Sequence, residues 1–311
     1  QQPGAIIAKA IATDLAGNQM ETTTTIQVRN PADTDAPQID LDLSGITDGT
    51  ITGPVAIKGS VTDTNLDYYV LEVAPLDGSA PFKEVFRGTG NVSNGTLGTF
   101  DPSLLLNDSY ILRLNAFDTN GQGTTTEQTL SVAGELKLGN FRLSFTDLTI
   151  PVTGIPITLI RTYDSLTSNN TDDFGYGWRM EFRDTDLRTS LGKDETYEVF
   201  GIRTKAFDEK TRVYITLPGG KREGFTFKPT IDPISRFFPS VAGSNPTIYL
   251  PAFVADSGVT STLSVQNVRM LRTAEAKFYG LSGDPYNPED SLYGATYTLT
   301  TKEGIVYNID A

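Results

Sequence analysis

The sequence predicts an all-β protein, for three reasons. Glycine, proline, asparagine and aspartate interrupt nearly every window of the 311 residues, so long amphipathic helices have no room. Between these breaks threonine, valine, isoleucine and aromatic residues dominate, as is typical of strands. Alternating segments also flank turn sequences, as where Arg212–Leu217 and Arg222–Phe227 flank Gly219 and Gly220. A chain of this length is expected to form about two or three domains.

An internal repeat marks the first domain boundary. The segment Ala8–Gly17 matches Leu112–Gly121, and both copies continue through a threonine tract to a valine. This motif resembles the last two strands of an immunoglobulin-like sandwich, joined by a hairpin turn of the Asp-x-x-Gly type. We therefore assign residues 1–30 to the C-terminal strands of a truncated immunoglobulin-like domain.

The chain between the two copies has the length of one complete sandwich. Residues 31–37 read as a linker rich in proline and aspartate, and residues 38–133 as an immunoglobulin-like β-sandwich. Within it, Val55–Val61 and Tyr68–Val73 are predicted strands. After Gly134 the composition changes, and residues 134–311 are predicted to form a second β-rich unit.

Composition excludes several classes of function. The net charge of −13 disfavours nucleic acid as a partner, because phosphate binding requires clustered lysine and arginine. Cysteine and histidine are both absent, which excludes disulfides, serine triads and ordinary zinc sites. No segment approaches the roughly 20 apolar residues that span a bilayer. Gln1–Ile7 also lacks the features of a signal peptide, so we expect the chain to be a fragment of a longer protein.

One stretch carries a family resemblance. Gly139–Asp164 contains an apolar strand, a Thr-Asp-Leu turn, an Ile-Pro step and a strand ending in Arg-Thr-Tyr, and the aromatic-glycine segment Phe174–Trp178 follows. This order resembles the segment that opens the Rhs/YD-repeat family, very large bacterial surface and toxin-delivery proteins whose repeats form a hollow β-shell. The resemblance covers roughly residues 134–311 and implies a lead-in domain before the repeats, outside the cell or on its surface.

Acidic loops suggest a structural calcium ion. Asp14 and Asp118 occupy the repeated turns, and Asp33 and Asp35 lie in the linker. Calcium takes six to eight oxygen ligands, and alternate aspartates in a loop can face one ion. The alternative is that these residues form turns, in which their carboxylates bond to nearby backbone N–H groups.

The aromatic-glycine segment is interpreted as structural core. The resemblance places Tyr163, Phe174, Gly175, Gly177 and Trp178 where a shared strand closes, and glycine there permits close backbone approach. The alternative is that the aromatic rings stack on a sugar, as in carbohydrate-binding modules.

Catalysis is not predicted. Five acidic residues lie close together in sequence, but their spacing matches no glycosidase pattern. They are Glu181, Asp184, Asp186, Glu195 and Glu198. The autoproteolytic and toxin functions that the resemblance implies belong beyond the repeats.

The sequence therefore predicts a non-enzymatic structural segment of a large bacterial surface protein. Its partners are expected to be other copies of itself or cell-surface molecules, because edge strands can add to neighbouring sheets. The alternative function is an adhesin or a carbohydrate-binding module that recognises glycans.

Overall fold

The computed structural model confirms the all-β prediction, with 56% of residues in strands, 6% in helices and no helix of 7 or more residues in the part of the chain that it describes. It describes residues 4–28, 32–134, 137, 139–152, 157–172, 174–181, 186–192, 204–217, 221–237 and 247–310. No helix in these ranges is long and apolar enough to cross a membrane. The chain forms two compact units: unit 1 contains 1–49, 54–101 and 110–130, and unit 2 contains 50–53, 102–109 and 131–311.

The first hairpin of unit 1 has the turn that the repeat predicts. Strands β1 (Gly4–Thr13) and β2 (Gln19–Val28) pair antiparallel. Asp14 accepts a hydrogen bond at its carbonyl from Gly17 N–H at 3.0 Å, and Gly17 has a φ of 85° that favours glycine. Asp118 and Gly121 repeat this geometry at 3.1 Å with a φ of 86°.

Residues 38–132 form two sheets. One has the order β3-β5-β8, and the other has the order β4-β10-β9-β6-β7. Two sheets are what the predicted immunoglobulin-like sandwich requires, and this assignment stays a prediction. The strands are β3 (Gln38–Asp42), β4 (Thr50–Ile51), β5 (Val55–Thr62), β6 (Leu66–Pro75), β7 (Lys83–Gly88), β8 (Val92–Phe100), β9 (Asp108–Asp118) and β10 (Gly123–Val132).

The core of unit 1 lies between the inner faces of these sheets. Leu71 pairs with Leu114 across β6 and β9, and both side chains are fully buried. Leu97 of β8 is also fully buried, and its carbonyl accepts a 2.9 Å hydrogen bond from the Tyr69 hydroxyl. This bond joins the two sheets through a satisfied polar group.

The part of unit 2 between residues 142 and 310 contains sixteen strands within the described ranges. Its sheets have the orders β11-β12-β15, β13-β14, β16-β17-β18-β21, β19-β20-β23-β24 and β22-β25-β26. The strands are β11 (Arg142–Ile150), β12 (Ile157–Asp164), β13 (Thr171–Asp172), β14 (Gly175–Tyr176), β15 (Trp178–Met180), β16 (Leu187–Thr189), β17 (Arg212–Thr216), β18 (Arg222–Phe227), β19 (Thr230–Ile231), β20 (Ile248–Leu250), β21 (Phe253–Ala255), β22 (Thr262–Val265), β23 (Met270–Arg272), β24 (Phe278–Gly280), β25 (Thr296–Thr300) and β26 (Val306–Asp310).

Short 3₁₀ turns connect some of these strands. They are Thr47–Gly49, Pro102–Leu104, Ser165–Thr167, Pro233–Phe237 and Ser291–Tyr293. The predicted hairpin of β17 and β18 is confirmed, although its turn at residues 218–220 lies outside the described residues.

Aromatic side chains fill the core of unit 2. Phe227 is fully buried, and its ring centroid lies 5.4 Å from that of Phe207 and 5.5 Å from that of Phe278, both edge-on. Tyr286 stacks on it at 5.7 Å. Rings in these geometries gain attraction beyond that of burial alone, so Phe227 is a central packing residue.

A polar network lies beside this core. Arg212, which is almost completely buried, pairs with Asp256 and donates from Nε to the Tyr214 hydroxyl at 3.0 Å. Burial raises the pKa of Tyr214, whose hydroxyl also lies 3.2 Å from Ser109 Oγ. Because each buried polar group finds a partner, the network avoids the cost of an isolated buried charge.

Candidate interaction surface

The three-stranded sheet of β11, β12 and β15 has two chemically different faces. Side chains directly opposite each other in an antiparallel pair point to the same face. Leu143 is opposite Tyr163, which is opposite Trp178, so these three share one face. Ser144 is opposite Thr162, and both lie on the other face.

A β-bulge at Asp147 keeps the apolar side chains on one face. Phe145 pairs with Arg161 and Leu148 pairs with Leu159, with a register shift between these pairs. Arg161 and Leu159 are two residues apart and therefore point the same way. Phe145 and Leu148, three residues apart, consequently share a face, because the bulge absorbs the extra residue.

The polar face is covered only at one end of β12, whereas Ser144, Thr146 and Thr149 on the same face of β11 are exposed. Thr162 and Asp164 are fully buried. Thr162 donates to Glu181 at 2.6 Å and lies 2.8 Å from Ser144 Oγ. Arg142 pairs with Asp164 at 2.9 Å. These contacts satisfy the groups that burial takes out of water.

The opposite face, called the apolar face below, is open to solvent. Five of its large side chains are 40–56% exposed, and they are Leu143, Phe145, Leu148, Ile150 and Ile157. Folding ordinarily buries the apolar side of a sheet, but all nine residues of β11 are exposed, so the rest of the fold leaves the apolar side chains of this strand uncovered. Contiguous apolar surface on a soluble protein marks a contact site. The apolar face is therefore the candidate functional site.

The aromatic-glycine segment lies at one end of the apolar face. Trp178 contacts Phe145, with ring centroids 6.2 Å apart, and Tyr163, with centroids 5.5 Å apart. Gly177 has a φ of 73°, and a Cβ there would lie 2.7 Å from the Tyr163 ring. Glycine is thus required at this position by both backbone conformation and space. At Gly175, with a φ of 94°, only the backbone conformation favours glycine.

Phe174 does not lie in the core, contrary to the prediction. Its side chain is 43% exposed, and the neighbouring Tyr176 is 67% exposed. The guanidinium of Arg161 lies 5.7 Å from the Phe174 ring centroid and 5.4 Å from that of Trp178. Phe174 is therefore held at the surface by a cation–π contact rather than by burial.

A family comparison matches this part of the chain. Residues 135–197 match the family model described as a domain of unknown function, DUF6531. The match covers a minority of the chain and includes all of β11, β12 and β15. A search of curated proteins found no match to the chain. The matched segment thus contains both the apolar face and the aromatic-glycine segment.

The four aspartates predicted to bind calcium fall into two places. The Asp14 carboxylate accepts hydrogen bonds from Asn18 and from the backbone of its own turn, and these bonds, the Asn18 side chain first, lower the pKa of Asp14. Asp33 accepts a 3.1 Å bond from Asn120. No group of three or more acidic side chains in the described part of the chain is arranged to hold a metal ion.

Asp33, Asp35 and Asp118 meet around a glutamine side chain. Gln122 Nε2 donates to the carbonyls of Asp33 and Asp35, at 3.1 and 3.2 Å, and to the Asp118 carboxylate at 3.2 Å. An amide donor therefore lies among three of the four predicted ligands, and Asp14 is not among the partners of this donor. The turn alternative is supported by backbone donors, since the Asp33 carboxylate accepts from Asp35 N–H at 3.2 Å and the Asp118 carboxylate from Gln122 N–H at 2.7 Å. Calcium binding stays a prediction.

Removing calcium tests these two alternatives. Because amide N–H groups already satisfy the Asp33 and Asp118 oxygens, we expect excess EDTA to leave the thermal midpoint of unit 1 unchanged. Differential scanning calorimetry with and without added calcium measures this directly. A midpoint that falls on chelation and recovers with calcium would establish the ion instead.

The sequence-adjacent carboxylates do not form a visible acid pair. Glu181 accepts from Thr162, and Asp186 pairs with Arg188 at 2.8 Å. Asp184, Glu195 and Glu198 lie outside the described residues. The geometry gives no reason to assign hydrolysis to Glu181 or Asp186.

Sequence reasoning missed the apolar face. The alternation of Leu143 and Phe145 with Ser144 and Thr146 signals a two-faced strand. That signal does not say which face is covered, and the bulge at Asp147 breaks the alternation before Leu148. The face was detectable as a pattern, but its exposure was not.

Proposed function

We propose that the chain is a non-enzymatic structural segment of a large bacterial surface or toxin-delivery protein of the Rhs/YD-repeat type, in which the apolar face forms an assembly contact. The exposed apolar face carries this proposal. The sequence resemblance over residues 134–311 supports the lineage and an extracellular or cell-surface location. The match of residues 135–197 shows that this segment recurs as a domain.

Burial of the apolar face would supply the free energy of assembly. Five of its large side chains are each about half exposed, and covering the remainder is worth roughly 1 kcal/mol per side chain. Two sheets can pack face to face about 10 Å apart with their side chains interleaved. A second β-sheet with an apolar surface is therefore the appropriate partner.

A second copy of the chain meets this requirement. Its apolar face would pack on the same face of the partner, as in an isologous dimer. The charges at the face are self-complementary, because Arg161, which lies on the apolar face, pairs with Asp147 at 3.1 Å within one copy and can exchange partners between two. The extracellular segment would thereby act as a scaffold that joins copies of the protein.

Self-association tests the proposal. We expect sedimentation equilibrium to show concentration-dependent dimers of the 311-residue chain. Leu148→Lys should shift the chain to monomer, since it places a charge in the middle of the apolar face. Val254→Lys is the matched control, because Val254 is similarly exposed on a different sheet of unit 2. A monomeric wild-type chain, or equal effects of both variants, would contradict the proposal.

One observation favours the alternative of carbohydrate recognition. Tyr176 presents most of its ring to solvent beside Gly175 and Gly177, where a sugar could stack on it. Specific oligosaccharide binding that is lost in Tyr176→Ala would favour this alternative over a purely structural role.

A further inference from the structure

A cavity of about 320 Å³ in unit 2 has a strongly basic lining. Four of the side chains that line it are cationic, and the described lining contains no carboxylate. The cations are Lys137, Arg142, Lys221 and Arg222. Carboxylates outside the lining pair with three of these cations: Asp164 with Arg142, Asp108 and Asp186 with Arg222, and Glu223 with Lys221 at 3.5 Å. A basic lining in a concave site favours an anionic ligand.

Ion pairs with carboxylates hold the arginines of the lining in place. Arg142 pairs with Asp164 at 2.9 Å, and Arg179 lies 3.9 Å from the same carboxylate. One buried carboxylate thus serves two guanidinium groups. Arg222 pairs with Asp108 at 2.6 Å. Fixed guanidinium groups form a preorganised site, which lowers the entropic cost of binding.

Asn107 gives a second, independent indication of a ligand in this cavity. It lines the cavity, is only 8% exposed, and its Oδ1 has no hydrogen-bond partner among the described residues. A buried acceptor without a partner is costly and uncommon in native proteins. A hydroxyl or other donor on a ligand would satisfy it.

We propose that this cavity binds a small hydroxylated carboxylate of the size of a sugar acid. The ligand carboxylate is held by the lysine and arginine side chains, and a ligand hydroxyl donates to Asn107 Oδ1. Leu106 and Leu166 line the same cavity and suit the C–H surface of a sugar ring. The volume lies at the low end of the range for small-molecule sites, which limits the ligand to about one sugar unit.

Titration calorimetry of the 311-residue chain tests the proposal with three probes. D-Glucuronate carries both the carboxylate and the hydroxyls, D-glucose carries only hydroxyls, and sulfate carries only charge. We expect glucuronate to bind and glucose to give no measurable heat. Sulfate is expected to bind about tenfold or more weakly than glucuronate, because it offers no donor to Asn107.

Substitutions locate the site. Lys221→Gln should weaken glucuronate binding about tenfold by removing a charge-assisted contact. Asn107→Asp keeps the size of the side chain and adds a repelling charge, so binding should be lost. Lys228→Gln is the matched control, because Lys228 is exposed on unit 2 and lies outside the cavity. Circular dichroism of each variant verifies the fold.

Three results would overturn the proposal. The first is an absence of glucuronate binding at millimolar concentration. The second is equal affinity for sulfate and glucuronate, which would reduce the cavity to a site for charge alone. The third is an equal loss of binding in Lys221→Gln and Lys228→Gln, which would place the anion on the general surface.

Discussion

Replacing Phe227 with alanine is expected to lower the free energy of unfolding of unit 2 by about 3–5 kcal/mol. The ring is fully buried and lies within 5.7 Å, centroid to centroid, of Phe207, Phe278 and Tyr286. Its removal leaves a cavity that these rigid rings cannot fill by small shifts. Urea denaturation followed by fluorescence measures the effect, since the single tryptophan, Trp178, lies in unit 2.

Two further variants test whether the effect of Phe227→Ala comes from the loss of buried apolar volume. Phe227→Leu retains most of the apolar volume and should cost less than half as much. Ile231→Ala is the matched control, because Ile231 is an exposed apolar residue of the same unit, and it should change stability by about 0.5 kcal/mol or less. A small effect of Phe227→Ala would show that this aromatic cluster does not determine the stability of unit 2.

Replacing Arg222 with alanine should destabilise unit 2 by about 3 kcal/mol. Arg222 is almost completely buried, donates to Asp108 at 2.6 Å and also pairs with Asp186. The substitution removes the guanidinium 2.6 Å from the buried Asp108 carboxylate and leaves Arg188 at the longer distance of 3.6 Å. A buried carboxylate that has lost its close cationic partner lowers the free energy of unfolding by more than the intact ion pair contributes to it.

Controls separate charge from packing at Arg222. Arg222→Met keeps most of the volume and loses the charge, so it should be nearly as destabilising as alanine. Arg272→Ala removes an exposed pair with Glu209 in the same unit and should cost less than about 1 kcal/mol. Equal urea midpoints for Arg222→Ala and Arg272→Ala would refute the role assigned to burial.

The strands and several hairpins could be predicted because their signals are local. The turn at Asp14 and its repeat at Asp118 follow from side-chain bonding to the nearby backbone and from glycine with positive φ. The hairpin of β17 and β18 follows from alternation on both sides of a glycine turn. Each of these features depends on residues that are close together in sequence.

The candidate sites depend on residues that are distant in sequence, and here prediction was weaker. Asp33 and Asp118 were correctly singled out as acidic loop residues, but Gln122 and Asn120 supply the contacts that join them. Phe174 was assigned to the core from its place in an aromatic-glycine segment, yet the Arg161 guanidinium lies against its ring at the surface. Neither partner is marked by a local pattern.

By itself, the sequence determined that this protein is built of strands, where its repeated Asp-x-x-Gly turns lie, and that residues 139–178 form a distinctive segment. Strand propensity and turn chemistry act over a few residues, so they can be read from the chain directly. Only the tertiary structure decided that β11 is exposed along its whole length, so that its apolar side chains face solvent. Alternation defines two faces, whereas the rest of the fold selects which of them is covered.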